Sequence, residues 1–215
     1  MSVSMRAVVF DMDGVLVDSG AHHRQAWIKL LGELGVAPPR EFWRRTIGRP
    51  SVEAVPLVLE KPVPLAEARR LANRKHHHYE TLAARGLPAV AGVIAFVESL
   101  RARAVPIAVA TSARGSDVVD LLGPLGLLDR FAAIVTAEDV TRGKPDPEVY
   151  LLAAGKLGAR PEACLVFEDA VVGVQAARGA GMRVVGVATT YEPADLVAAG
   201  AERAITTFEG LEWPM

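Results

Sequence analysis

The sequence predicts an α/β fold: a parallel sheet with helices on both faces, plus a helical insertion after the first strand. Three observations predict it. Short apolar runs rich in β-branched residues end at polar clusters, helix-like stretches alternate with them from about residue 89 to 205, and residues 18–86 show helical patterns without a convincing strand. Continuous apolar runs are what strands covered on both faces require. Regular strand–helix alternation builds a parallel sheet.

The first run, Ala7-Val8-Val9-Phe10, is read as a strand. Residues 1–17 and 87–215 are assigned to the core and residues 18–86 to the cap. Within the cap, Trp27, Ile28, Leu30, Leu31 and Leu34 make one apolar helix face that ends before Pro38-Pro39, and a second helical stretch covers 64–84. In open parallel sheets ligands bind beyond the carboxyl ends of the strands. An insertion leaving the first strand there sits over that site as a lid.

Past the cap, residues 92–103 place Val93, Phe96, Val97 and Leu100 at helical spacing. Further strands are expected at Ile107 to Ala110, Ala133 to Val135, Leu165 to Phe167 and Val184 to Val187. Residues 146–158 open with Asp146 as N-cap, Pro147 at the first helical position and Glu148 in the first turn, and close at Gly158.

At 215 residues the chain can bury a full-sized core. A net charge of -1 offers no basic excess for nucleic acid or an anionic membrane surface. Cys164, the single cysteine, cannot form an internal disulfide and lies in an apolar run, so a buried small hydrophobe and a reducing compartment are expected. Met1 to Met5 lack the pattern of a secretion signal, and no segment approaches the roughly 18 apolar residues of a membrane span. A soluble, cytoplasmic monomer is the expectation.

Four separated pieces carry chemistry. Asp11 and Asp13 flank Met12 just past the first strand, and residues two apart in extended backbone point the same way. Gly14 permits the tight bend that follows. Two facing carboxylates repel unless a cation lies between them or one takes a proton. Asp11 can then attack phosphorus, while Asp13 protonates the leaving oxygen and later deprotonates water. Thr111 and Ser112 end a second strand, where hydroxyls and nearby N–H groups could hold phosphoryl oxygens. Lys144, in a proline-stiffened turn, can neutralise charge. Glu168 and Asp169 end another strand and suit hard Mg2+. Each piece also has an ordinary structural reading as a turn, a helix cap or a surface charge. His76-His77-His78 is expected to be a solvated helix face.

Taken in order, these residues resemble the signature of the haloacid dehalogenase superfamily, whose members are mostly Mg2+-dependent phosphatases. Asp11-Met12-Asp13-Gly14-Val15-Leu16-Val17-Asp18-Ser19 matches the first motif, Thr111 the second, Lys144 the third and Glu168-Asp169 the fourth. The resemblance implies a Rossmann-like core with an inserted helical cap, and Mg2+ held by Asp11, the Asp13 carbonyl and Asp169, with Glu168 either a direct ligand or one step removed. Asp13 further implies phosphate esters over carbon–halogen bonds, since displacing halide needs no proton donor. The cap is similar to that of the β-phosphoglucomutase branch, which implies substrate contacts from His23, Trp27, Gly48 and Lys75, with Ser112 and Arg114 beside the second motif. It departs from that branch at Ser51 and Ala113, where phosphate ligands are replaced.

The resulting expectation is a phosphomonoesterase acting on a small phosphorylated metabolite, a sugar phosphate foremost, through an aspartyl-phosphate. The alternatives are a β-phosphoglucomutase and a non-catalytic phosphometabolite-binding protein.

Overall fold

A computed structural model describes residues 6–84 and 86–214. Six strands form one parallel sheet: β1 (Ala7–Phe10), β2 (Ile107–Ala110), β3 (Ala133–Val135), β4 (Cys164–Glu168), β5 (Arg183–Val187) and β6 (Arg203–Ile205), in the spatial order β3-β2-β1-β4-β5-β6. Between β1 and β2 come α1 (Gly20–Glu33), α2 (Phe42–Thr46), α3 (Ser51–Leu59), α4 (Leu65–Ala83) and α5 (Val93–Ala102). Then α6 (Gly115–Leu122), α7 (Glu148–Lys156), α8 (Val171–Gly179) and α9 (Pro193–Ala198) alternate with the later strands.

The continuous apolar runs are explained by two cores, one on each face of the sheet. Val8 and Phe10 join a cluster with Phe96, Val97 and Leu100 of α5. Ala7 and Val9 join a second cluster with Tyr150 of α7 and Val174 of α8. Phe10 stacks on Phe167 at 5.3 Å and meets Phe96 edge-on at 6.3 Å. Such pairs contribute about 0.5–1.5 kcal/mol beyond simple burial. They hold the end of β1 in place, and with it the residue that follows.

A third apolar cluster, including Trp27, Leu30, Leu31, Phe42, Val55 and Leu71, lies wholly within α1–α4. The inserted helices therefore carry a core of their own. Among the described residues no helix is long and apolar enough to cross a membrane.

Several expectations shift in detail. β4 and β5 start one residue earlier than predicted, and β4 also runs on to Glu168. β6 is a strand the apolar-run criterion passes over, because its three residues are only partly covered. Leu34 leaves the apolar face of α1: it caps the helix and is 37 % exposed. Pro147 rather than Asp146 holds the N-cap position of α7, yet Asp146 Oδ1 still accepts the Glu148 N–H at 3.0 Å. The histidine run is solvated only at His77. His76 lies between Glu80 and Asp117, and His78 meets Glu33 at 3.1 Å.

Candidate active site

Strand register brings the separated motifs together. Phe10 pairs with Val109 of β2 on one side and Phe167 of β4 on the other. The residues just beyond are Asp11, then Thr111 after Ala110, then Glu168 and Asp169, all on one rim of a parallel sheet. β1 is the strand from which the chain order runs outward in both directions, the place where such sheets open a crevice.

At the floor, Asp11 is buried and accepts from Lys144 Nζ at 2.8 Å. The same ammonium donates to Glu168 Oε1 at 2.6 Å and to the Ala110 carbonyl at 3.3 Å. All three lysine donors are thus taken. Glu168 is equally committed: Tyr150 Oη donates to Oε1 at 3.0 Å and the Ala170 N–H to Oε2 at 2.7 Å. Burial opposes the charge on Lys144, but Asp11 and Glu168 outweigh it and hold the ammonium well above its ordinary range.

Among the described residues no such cation pairs with Asp169. Burial, then Glu168 and Asp11, push its carboxyl well above the usual range, and burial pushes Asp11 up to about 7 against the pull of Lys144. Oxygens of Asp11, Glu168 and Asp169 lie within 4.8 Å of one another. This is an all-oxygen, over-negative set of the kind that takes a hard divalent cation. Gly14 makes room for it. At φ +74°, a side chain there would place its Cβ 2.0 Å from Asp169 Oδ2.

Asp13 is served from the cap. Its Oδ1 accepts from Ser19 Oγ and lies 3.0 Å from His23 Nε2. Lys75 Nζ lies 2.7 Å from His23 Nδ1. An ammonium can only donate, so the imidazole carries its proton on Nε2 and passes that bond to Asp13. Burial works against the Asp13 charge, yet His23, Ser19 and Lys75 hold it below the ordinary carboxylate range. Burial, then Lys75, depress His23. Lys75 sits against the rings of Trp27 and Tyr79, and burial lowers it to about 8.

Above this floor is a cavity of about 370 Å³ between core and cap. Asp11, Asp13, Thr111, Ser112, Asp169, His23, Trp27, Gly48, Lys75 and Arg114 all line it, whereas Lys144 and Glu168 lie behind its wall. Thr111 Oγ1 accepts the Ala113 N–H at 3.0 Å, which leaves its proton free for a ligand. Ser112 has spent its proton on the Gly48 carbonyl at 3.1 Å. Arg114 donates to Asn73 Oδ1. Gly48, at φ +71°, packs so closely on Ala170 and Val172 that a Cβ would lie 2.7 Å from the Ala170 methyl. Ser112, Arg114 and Gly48 thus join cap to core as well as facing the cavity.

Sequence reasoning missed Tyr150, Ser19 and Tyr191. Tyr150 buries its hydroxyl on Glu168, Ser19 bonds Asp13, and Tyr191 donates to the Arg44 carbonyl across the cap–core boundary. Ser19 alone carried a signal, as the last residue of the first motif.

Residues 5–181 match the family described as haloacid dehalogenase-like hydrolase. The chain is similar to validoxylamine A 7'-phosphate phosphatase of Streptomyces hygroscopicus subsp. limoneus, with 32 % identity over 97 % of each chain. It is similar to fructose-1-phosphate phosphatase YqaB of Escherichia coli, with 33 % identity over 84 % of this chain and 95 % of that one. Among solved structures it resembles β-phosphoglucomutase from Clostridium difficile, with a TM-score of 0.86, 25 % identity and coverage of 97 % and 94 %. The family match extends over most of the chain, and the rim it encloses has the motif order that the resemblance implies: this protein belongs to the haloacid dehalogenase-like hydrolases.

Proposed function

We propose that the protein is a Mg2+-dependent phosphatase of small phosphorylated metabolites, sugar phosphates foremost, working through an aspartyl-phosphate. The observation that carries this reading is Asp11: a buried carboxylate, fixed by Lys144 from behind, open to the cavity in front and two residues from a second acid. The phosphatases of sugar-like esters among its relatives support the substrate class.

Asp11, the Asp13 carbonyl and Asp169 would hold the ion. Glu168, with both oxygens engaged, is better suited to fixing Lys144 than to direct ligation. Bound there, Mg2+ would supply positive charge to the phosphoryl oxygens and keep Asp11 and Asp169 ionised.

Asp11 Oδ attacks phosphorus, forming the new O–P bond as the bond to the ester oxygen breaks. Lys144 keeps Asp11 in position without leaving it, since the other lysine donors are occupied. Thr111 can donate to a phosphoryl oxygen. Asp13, reached by His23 and Lys75, is placed to hand a proton to the leaving oxygen and to take one from the water that cleaves the phosphoenzyme. The cap roofs the cavity and limits bulk water.

The test is release of inorganic phosphate from a panel of sugar phosphates, phosphoglycolate and nucleotides. Turnover is expected with Mg2+ and is expected to vanish after chelation and return on adding Mg2+. No turnover on any ester with Mg2+ would point to a binding protein instead. Formation of glucose 6-phosphate from β-glucose 1-phosphate, without phosphate release, would make the protein a mutase.

A further inference from the structure

The loop that joins β5 to α9 meets three parts of the molecule with three consecutive residues. The sheet fixes its start, where the Ala188 N–H donates to the Ile205 carbonyl of β6 at 2.7 Å. Thr189 Oγ1 then donates to the Gly14 carbonyl at 2.6 Å, on the bend that follows Asp11 and Asp13. Thr190 lines the cavity together with Gly14 and Asp169. Tyr191 lies outside that lining and donates from Oη to the Arg44 carbonyl of α2, in the cap.

Each contact has its own physical role. Burial, then Glu168 and Asp11, oppose the charge on Asp169, and the Thr190 hydroxyl, by hydrogen bonding, favours it. An ion at Asp169 needs that carboxylate charged and held still, and a hydrogen bond to a ligating group serves both ends. Thr190 Oγ1 is also only 3.7 Å from where a Cβ on Gly20 would stand, so the same hydroxyl packs against the first residue of α1. On the other side of the loop, the Arg44 guanidinium is 6.0 Å from the centre of the Tyr191 ring and 3.8 Å from Asp195 of α9. Arg44 and Asp195 are both partly exposed, so these contacts contribute little. The half-buried Tyr191–Arg44 hydrogen bond is therefore what ties α2 to the loop. Neighbouring residues share a backbone, so a shift of Tyr191 with the cap carries Thr190 with it.

We propose that Thr190 and Tyr191 are positioning residues that couple the ion site to the cap: Thr190 orients Asp169, Tyr191 seats α2, and each contact strengthens the other. The proposal rests on the phosphatase reading for Asp169 as an ion ligand. Coupling of this kind is reciprocal. If a seated cap favours the ion, the ion favours a seated cap by the same factor.

The experiment titrates the full chain with Mg2+ by calorimetry, without ester, and follows backbone hydrogen exchange over residues 42–46 with and without the ion. Thr190→Val is expected to weaken Mg2+ binding about tenfold, as loss of a hydrogen bond to a metal-ligating group does. Tyr191→Phe, which removes only a hydroxyl bonded to the cap, is expected to weaken it about three- to tenfold, the worth of one hydrogen bond. The double variant is expected to lose less than the two factors multiplied, because both act through one loop. Mg2+ is expected to slow exchange over residues 42–46 in the parent, and to slow it less in either variant. Parental Mg2+ affinity in Tyr191→Phe would overturn the coupling, as would fully multiplied losses in the double variant or parental exchange over 42–46 that ignores the ion. Should Thr190→Val fail to fold, Tyr191→Phe and the parental exchange decide alone. Phosphate release by a parent without the coupling removes the coupling and leaves the phosphatase reading. Coupling in a parent that hydrolyses no ester removes the phosphatase reading and leaves the coupling.

Discussion

Asp11 and Asp13 stand two residues apart, and each is served by a buried lysine, but the two lysines live in opposite surroundings. Lys144 belongs to the core and touches two carboxylates directly, so its charge is favoured despite burial. Lys75 belongs to the cap, touches a neutral imidazole and two aromatic rings, and burial lowers it to about 8. The core lysine is a permanent charge that holds one acid still. The cap lysine is an adjustable one, reaching the other acid through His23. Partner chemistry rather than depth of burial decides between these behaviours.

The largest way to test that contrast is Asp11→Asn. It should lower turnover on the order of 10⁴-fold or more, as loss of a nucleophile does, while thermal melts show a folded protein. Near-parental phosphate release would remove Asp11 as the proposed nucleophile. Next is Glu168→Gln, which takes from Lys144 one of its two buried carboxylates. Breaking a buried ionic pair costs about 3 kcal/mol, and the melting temperature should fall by several degrees. An unchanged melting temperature would mean that the Lys144–Glu168 contact does not support the core.

Lys75→Met sharpens the cap side. In the range between about 8 and the ordinary lysine value of about 10.4, the unfolded chain binds more protons at Lys75 than the folded one does. Stability therefore gains a contribution as pH rises through that window. Subtracting the pH–stability curve of Lys75→Met from that of the parent should show the gain, up to about 3 kcal/mol. A flat difference would mean that Lys75 keeps its ordinary affinity for protons. The smallest effect is expected from Ser112→Ala. Losing one hydrogen bond to the Gly48 carbonyl costs about 0.5–1.5 kcal/mol, so KM should rise a few-fold with kcat little changed. A fall in kcat alone would place Ser112 in the chemistry and not in seating the cap loop.

Core and cap also differ in how far the sequence discloses them. Phe10, Ala110 and Phe167 end apolar runs, and parallel pairing carries the residues after them to one edge without any knowledge of side-chain packing. Asp11, Thr111 and Asp169 were therefore readable from pattern alone. The cap gives no such register. His76 and His78 look solvated by composition, yet Asp117 and Glu33 meet them from other helices. The short strand β6 escaped because a half-covered edge strand has no need of a continuous apolar run.

By itself the sequence determined the parallel sheet, the strand after which the helices are inserted, and which acids lie on the rim. Strand periodicity and chain order encode all three locally. Only the tertiary structure decided that Lys144 and Glu168 lock together behind the wall and that Lys75 reaches Asp13 through His23. Those depend on side chains from distant elements meeting within a few ångströms. No local pattern in the chain specifies which of many equally charged residues will meet.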